Sequence, residues 1–273
     1  MNDNVMPLQP RDQWPELLDE KLPKYFSLAE SIPDFFDQEE LDQMLFQLFH
    51  TFTKHRHYGG GTFKLEKFDE YPIWKLVYPK LKQRFDWLRE DDILTGNGYI
   101  TATNYALHMD SCNPVTYLNG GQIAIKSFLV PLFVCQPNFV QEKRDASFVL
   151  FKNRLLGWEC NFSNGESNNV KMTYQKNVTS YDGLPWIDAQ GKPMQLDTTK
   201  LHPSTDEIYQ THLKQLPKET YYGMEVESVQ PYNPGSILIF DPYQPHVTGN
   251  KDWSNTRLKG GIRFNIQRRV ENL

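Results

Sequence analysis

The sequence predicts a mainly β (α+β) protein, a sandwich or barrel of jelly-roll type with helices at its N-terminal side. Three observations predict it. From about residue 97 onward, apolar and polar residues alternate with a period of two, the pattern of half-buried strands. Those runs are short and are punctuated by Pro, Gly and Asn, as in double-sheet β architectures. The first third instead repeats its apolar residues at helical spacing.

The helical third begins with "FDQEELDQMLFQLFHTF". Asp37 is a suitable N-cap and Glu40 stands three residues on, a capping-box arrangement. Leu41, Met44, Leu45, Leu48, Phe49 and Phe52 then form one apolar stripe. A second helix, "YPIWKLVYPKLKQRFDWLRE", repeats the period with Ile73, Leu76, Val77, Leu81, Phe85 and Leu88, and Pro79 is expected to kink or split it. Neither helix carries a catalytic pattern, so residues 1–95 read as a helical region that buttresses a sheet.

Residues 96–273 read as the β core, built from "GYITATNYALHMD", "QIAIKSFLVPLFV", "ASFVLFK", "VKMTYQKNV", "YGMEVESVQPY", "GSILIF" and "GGIRFNIQ". Residues 152–215 interrupt it with turn-rich sequence and a short helix near "STDEIYQTHLKQL". That segment reads as an insertion between strands, where a rigid scaffold usually carries its specificity.

With 273 residues, 39% of them hydrophobic, the chain can bury one sizeable core. A net charge of −5 and the absence of a basic run argue against a nucleic-acid partner. Cys112, Cys135 and Cys160 show no C-x-x-C spacing, which fits reduced thiols. The polar N-terminus and the lack of an apolar run near ~18 residues place the protein, as an expectation, in the cytoplasm and away from membranes. Nothing in the sequence sets the oligomeric state.

Chemistry enters at "NYALHMDSCNP". His108 and Asp110 are two apart, so on a strand they project from the same face, as two ligands of one metal would. Alone, that pair is more often a His–Asp hydrogen bond at a strand end. The second signal is "NPGSILIFDPYQPHVTGN", a tight turn, an apolar strand and another turn that delivers His246. Two histidines and one carboxylate on a β scaffold make the facial triad of non-haem Fe(II) oxygenases, although Zn(II) accepts the same ligands.

A counter-charge follows in "NTRLKGGIRFNIQ". Arg257, Lys259, Gly261, Arg263 and Asn265 share one parity, and Leu258, Gly260, Ile262, Phe264 and Ile266 take the other. Cations that point inward must meet an anion, because an uncompensated buried charge costs several kcal/mol; the alternative is a solvated cationic face, as on an edge strand.

His108, Asp110, His246 and Arg257, with the "PGSILIFDPYQPH" approach, resemble the H-x-D…H…R pattern of the 2-oxoglutarate/Fe(II)-dependent dioxygenases, in particular members similar to phytanoyl-CoA and prolyl hydroxylases. The resemblance covers roughly residues 97–270. It implies a double-stranded β-helix, cupin-like, using Fe(II), 2-oxoglutarate and O2 to hydroxylate an organic substrate. The implied catalytic and metal-binding residues are His108, Asp110 and His246. The implied cation for the 2-oxoglutarate 5-carboxylate is Arg257, eleven residues after His246, with Lys259 next and Arg263 third. Bidentate carboxylate recognition favours arginine in that ranking. Tyr105 matches a Y-x-x-H-x-D variant that would place it beside the cosubstrate, although strand parity turns it away from His108.

The expected partner is a small-molecule substrate, a polar metabolite or amino-acid derivative. The alternative is a non-catalytic or zinc-bound jelly-roll binding protein. Other candidates read as structural: His55 and His57 at a helix end, His50 on the helix, and His202 and His212 in the insertion. Trp158, Trp186 and Trp253 read as core or lid, and "GNG" at 96–98 lacks a phosphate-loop context.

Overall fold

The computed structural model describes residues 22–55, 62–65, 72–101, 107–109, 122–135, 147–155, 160–163, 173–175, 180–181, 184–197, 199–249, 258–269 and 272. Helix α1 (Gln38–His55) starts as its sequence dictates. The Asp37 carboxylate accepts from the Glu40 N–H at 2.9 Å, and the Glu40 carboxylate accepts from the Asp37 N–H at 2.8 Å. This reciprocal cap satisfies two donors that a helix start leaves without intrahelical partners. Lys80 of helix α2 (Pro72–Arg84) donates to the same Glu40 carboxylate at 2.5 Å and to the Phe35 carbonyl at 2.9 Å, joining the two helices.

Helix α2 runs through Pro79 and is not split there. Val77 and Leu81, on either side, are fully buried, and their packing offsets the hydrogen bond that proline cannot donate. Phe85 and Leu88 follow the helix end and still pack into the core.

Two six-stranded sheets form the body. The first runs β1 (Glu30–Ile32), β14 (Ile237–Phe240), β5 (Gln122–Cys135), β16 (Leu258–Arg269), β3 (Ile93–Thr101), β2 (Thr62–Leu65). The second runs β13 (Val226–Pro231), β6 (Ser147–Phe151), β15 (His246–Gly249), β4 (His108–Met109), β8 (Cys160–Ser163), β9 (Thr173–Gln175). From β3 to β16 the core chain crosses repeatedly between the sheets, giving β14-β5-β16-β3 in one and β13-β6-β15-β4 in the other. All pairs among these eight strands are antiparallel. The order is consistent with the jelly roll that the sequence predicts.

Outside this core, β1 and β2 from the first 95 residues extend the first sheet, and β8 and β9 extend the second. Strands β7 (Arg154–Leu155), β10 (Ser180–Tyr181), β11 (Leu184–Ile187) and β12 (Pro193–Met194) make a small antiparallel sheet. A short helix, α3 (Pro203–Ile208), follows it.

Strand alternation sorts the core into layers. On the helix side of the first sheet, Ile262, Phe264 and Ile266 join Leu41, Met44 and Leu48 of α1 and Ile73, Val77 and Leu81 of α2. There the Phe128 ring stacks on Phe264 at 4.9 Å. Between the sheets lie Tyr99, Leu129, Phe148, Leu150, Leu238 and Phe240. Outside the second sheet, Val149, Phe151 and Val247 pack on Trp186, Leu213 and Tyr221. Pro131 sits in the interior of β5 where the β5–β16 register shifts opposite Gly260 and Gly261. A bulge is where a central strand tolerates proline.

A buried charge network pins the turn before β15. The Asp241 carboxylate accepts from Lys126 at 2.6 Å, from Arg154 at 2.9 Å and from the Ser27 N–H at 3.2 Å. Arg154 also pairs with Glu227 at 3.0 Å. No helix among the described residues is long and apolar enough to cross a membrane. Asp241→Ala leaves two buried cations facing one carboxylate, so it is expected to lower stability by about 3–5 kcal/mol, read as a fall in the denaturant midpoint; the double variant with Lys126→Met recovers part of the loss.

Candidate active site

The turn from Asp241 to Pro245 is held at almost every residue. The Phe151 N–H donates to the Pro245 carbonyl at 3.1 Å, and the Leu155 N–H to the Tyr243 carbonyl at 3.0 Å. The Gln244 side-chain amide donates to the Phe151 carbonyl at 2.8 Å. The turn therefore delivers His246 to the first position of β15, directly opposite His108 of β4.

Directly opposed residues on antiparallel strands bring their side chains within contact. The two imidazole rings lie 4.2 Å apart, centroid to centroid, inclined at 62°. His246 Nδ1 lies 2.9 Å from the Gln244 carbonyl oxygen. A carbonyl only accepts, so Nδ1 carries the proton and Nε2 keeps the lone pair a metal needs. The His246 ring is buried, stacked on Phe148 at 4.8 Å and edge-on to Phe240 at 4.9 Å.

Both histidines line a cavity between the sheets of about 540 Å³, its open mouth included. Phe148, Phe240 and Leu129 form its apolar wall, and Thr248, Lys259, Arg263, Asn97, Tyr99 and Tyr232 its polar one. Among the described residues, no acidic side chain lines it. Thr248 is on the same strand face as His246, two residues on. Lys259 is 1% exposed, and its ammonium donates to the Thr248 hydroxyl at 2.8 Å. Burial pushes the Lys259 amine down to about 7 from 10.5.

Tyr99 and Tyr232 meet hydroxyl to hydroxyl at 2.5 Å. The Tyr232 hydroxyl donates to the Gly260 carbonyl at 3.0 Å, so Tyr99 donates to Tyr232. Gly261 makes room for them: a Cβ there would stand 2.6 Å from the Tyr99 oxygen and 2.7 Å from that of Tyr232. At Gly260 a Cβ would overlap the Phe133 ring.

The structure thus brings together His108, His246, Lys259 and Arg263 from the sequence-derived set. Asp110, Arg257 and Tyr105 lie outside the described residues, as do Cys112, His57, Trp158 and Trp253. Among the described residues no group of three His, Cys, Asp or Glu side chains is arranged to hold a metal. Trp186 is core. His202 caps α3, accepting from the Ser204 N–H. His212 Nδ1 and the Ser147 hydroxyl are hydrogen-bonded at 2.9 Å, and the His50 ring stacks on Phe46.

Sequence reasoning missed Asn97, Tyr99 and Tyr232. Asn97 and Tyr99 share the inward parity of β3 and pair with Arg263 and Gly261 across the sheet, a signal the period-two pattern contained. Tyr232 lies one residue beyond β13 and has no local signature.

No family model matches the chain, and no curated protein matches it. Among solved structures it is similar to HygX from Streptomyces hygroscopicus, solved with nickel and 2-oxoglutarate bound, at 13% identity over 95% of this chain and 88% of that one, TM-score 0.42. It is similar to the epimerase SnoN, in complex with Fe3+, alpha-ketoglutarate and nogalamycin RO, at 10% identity over 91% and 83%, TM-score 0.43. The viral collagen prolyl hydroxylase vCPH from Paramecium Bursaria Chlorella virus-1 gives 9% identity over 88% and 96%, TM-score 0.40. Likenesses of that order leave the function to be read from this chain's own residues.

The buried Lys259 gives a stability test. Its folded pKa of about 7 lies below the ordinary 10.5, so the unfolded chain binds more protons between those values. Its penalty is therefore full below pH 7 and fades as pH rises through that window. Lys259→Met is expected to stabilise the protein, on the order of 1–3 kcal/mol at the acidic end, with the gain in denaturant midpoint vanishing above the ordinary lysine pKa.

Proposed function

We propose that this chain is an Fe(II)- and 2-oxoglutarate-dependent dioxygenase that hydroxylates a small polar metabolite or amino-acid derivative. One observation carries the reading: two imidazoles face each other at 4.2 Å on directly paired strand positions, at a cavity whose wall also holds a buried lysine. A pair of histidines kept only for packing has no need of a cation buried nearby.

The residues fit the group they would hold. His108 and His246 supply neutral nitrogens, and Asp110, two residues from His108, supplies the carboxylate that completes a facial triad. Lys259 and Thr248 receive the far carboxylate of 2-oxoglutarate: the ammonium gives charge, and the threonine hydroxyl, already accepting from Lys259, gives its own proton. Arg257 is the second candidate for that carboxylate. When bound, iron with 2-oxoglutarate supplies the oxidising power, the keto acid becoming succinate and CO2 as dioxygen is reduced. Phe148 and Phe240 exclude water from one side of His246 and hold its ring at a fixed angle.

Calorimetry with Fe(II) and 2-oxoglutarate under anaerobic conditions, followed by succinate assay in air, tests the reading. The expected result is metal-dependent 2-oxoglutarate binding and succinate release. Binding of 2-oxoglutarate that needs no metal identifies the binding-protein alternative, and no 2-oxoglutarate binding refutes the proposal. His246→Ala and Asp110→Ala are each expected to weaken metal binding by at least about tenfold.

Lys259 adds a pH signature. It must be protonated to hold a carboxylate, and burial lowers its pKa to about 7. Above that pH, 2-oxoglutarate binding takes up a proton and affinity falls as pH rises. Titrations in two buffers of different ionisation enthalpy read this directly, and Lys259→Arg, which stays charged, abolishes the buffer difference.

A further inference from the structure

We propose that the substrate of this site is an anion, and that Arg263 with Asn97 forms the subsite for its carboxylate. This rests on the oxygenase reading above and adds to it the chemical class of the molecule oxidised.

Among the described residues, the two cations that line the cavity come from one strand, β16, on its inward face. Four residues separate Lys259 from Arg263, which on a strand is roughly 13 Å of backbone. Their surroundings differ. Lys259 is sealed in beside Thr248, whereas Arg263 is half-buried and reachable from water. Arg263 is paired in register with Asn97 on one side and with Leu129 on the other, and all three line the cavity. Gly261 stands between the two cations on the same face, and the joined hydroxyls of Tyr99 and Tyr232 occupy the space over it. The polar wall is thus divided into two positively charged ends with a tyrosine partition between them.

The chemistry of each end suits one anion. A sealed lysine with a threonine hydroxyl suits the fixed end of a cosubstrate that enters in every turnover. A guanidinium presents a planar fork to a carboxylate, and the Asn97 amide adds donors beside it, an arrangement able to sort substrates by charge.

The test uses the full chain saturated with Zn(II), which supports binding without turnover, and with 2-oxoglutarate. Probes are straight-chain and α-amino carboxylates of two to six carbons, each paired with its carboxamide, and binding is read by thermal shift and calorimetry. The expected result is that at least one carboxylate binds and its carboxamide does not. Arg263→Gln then weakens that carboxylate at least tenfold, Arg263→Lys weakens it less, and both leave the 2-oxoglutarate affinity unchanged. Asn97→Leu gives a smaller loss in the same direction and covers the case in which Arg263→Gln does not fold.

Carboxamides binding as well as carboxylates would overturn the proposal, as would no probe binding at all. Loss of 2-oxoglutarate affinity in Arg263→Gln would overturn it too, by making Arg263 the cosubstrate cation. Failure of the wild-type protein to bind 2-oxoglutarate with metal is a different result, and it removes the oxygenase reading itself.

Discussion

Everything at the site hangs on the turn that ends at His246, and that turn is fixed by charges withdrawn from water. Asp241, Lys126, Arg154 and Glu227 come from the turn and from β5, β7 and β13, with Ser27 adding a backbone N–H from the N-terminal side. A buried network of this kind is poor evidence of stability, because desolvation consumes most of what the ion pairs return. Its geometric demand is the useful part. Two acids and two bases from four elements are mutually satisfied in one arrangement, and any slip of the turn by a residue leaves a charge without its counterpart. A one-residue slip of β15 would also turn His246 and Thr248 outward and Val247 inward. The network and the alternation therefore impose the same register, and the register sets the two imidazoles face to face.

The same economy appears on the opposite wall. Strand β16 keeps its apolar side, Ile262, Phe264 and Ile266, against the helices, and its polar side against the cavity. The helices are thus part of the site's construction although none of their described side chains lines it. By covering one face of the first sheet they allow the other to carry lysine, arginine, asparagine and tyrosine into the interior. The glycine pair at 260 and 261 serves that crowding, since side chains there would collide with Phe133 and with the tyrosine hydroxyls.

Much of this was legible in the sequence because it is written in local periods. The capping box of α1, the parity of β16 and the apolar approach "SILIF" to His246 each occupy a few consecutive residues, and each appears where spacing places it. What escaped was non-local. Asp241 reads as an ordinary turn aspartate before a proline, and nothing near it announces partners at 126, 154 and 27. Tyr232 and Tyr99 are 133 residues apart, and their contact exists only because the sheets stack. The short edge strands β1 and β2 were hidden in a region dominated by helical periodicity, where three or four residues carry too little pattern to register. Pro79 misled for a related reason: its local cost is real, but the burial of Val77 and Leu81 outweighs it.

The placement of the two cavity cations follows from what each can tolerate. A lysine sealed at 1% exposure, its amine pushed down to about 7 by burial, can shed its proton near neutrality. An arginine has no such escape, because it stays protonated at any ordinary pH. Exchanging the two would bury a permanent charge at the sealed position and leave an adaptable one where water already stabilises either form. The order found, lysine sealed and arginine half-buried, keeps the permanent charge where water reaches it.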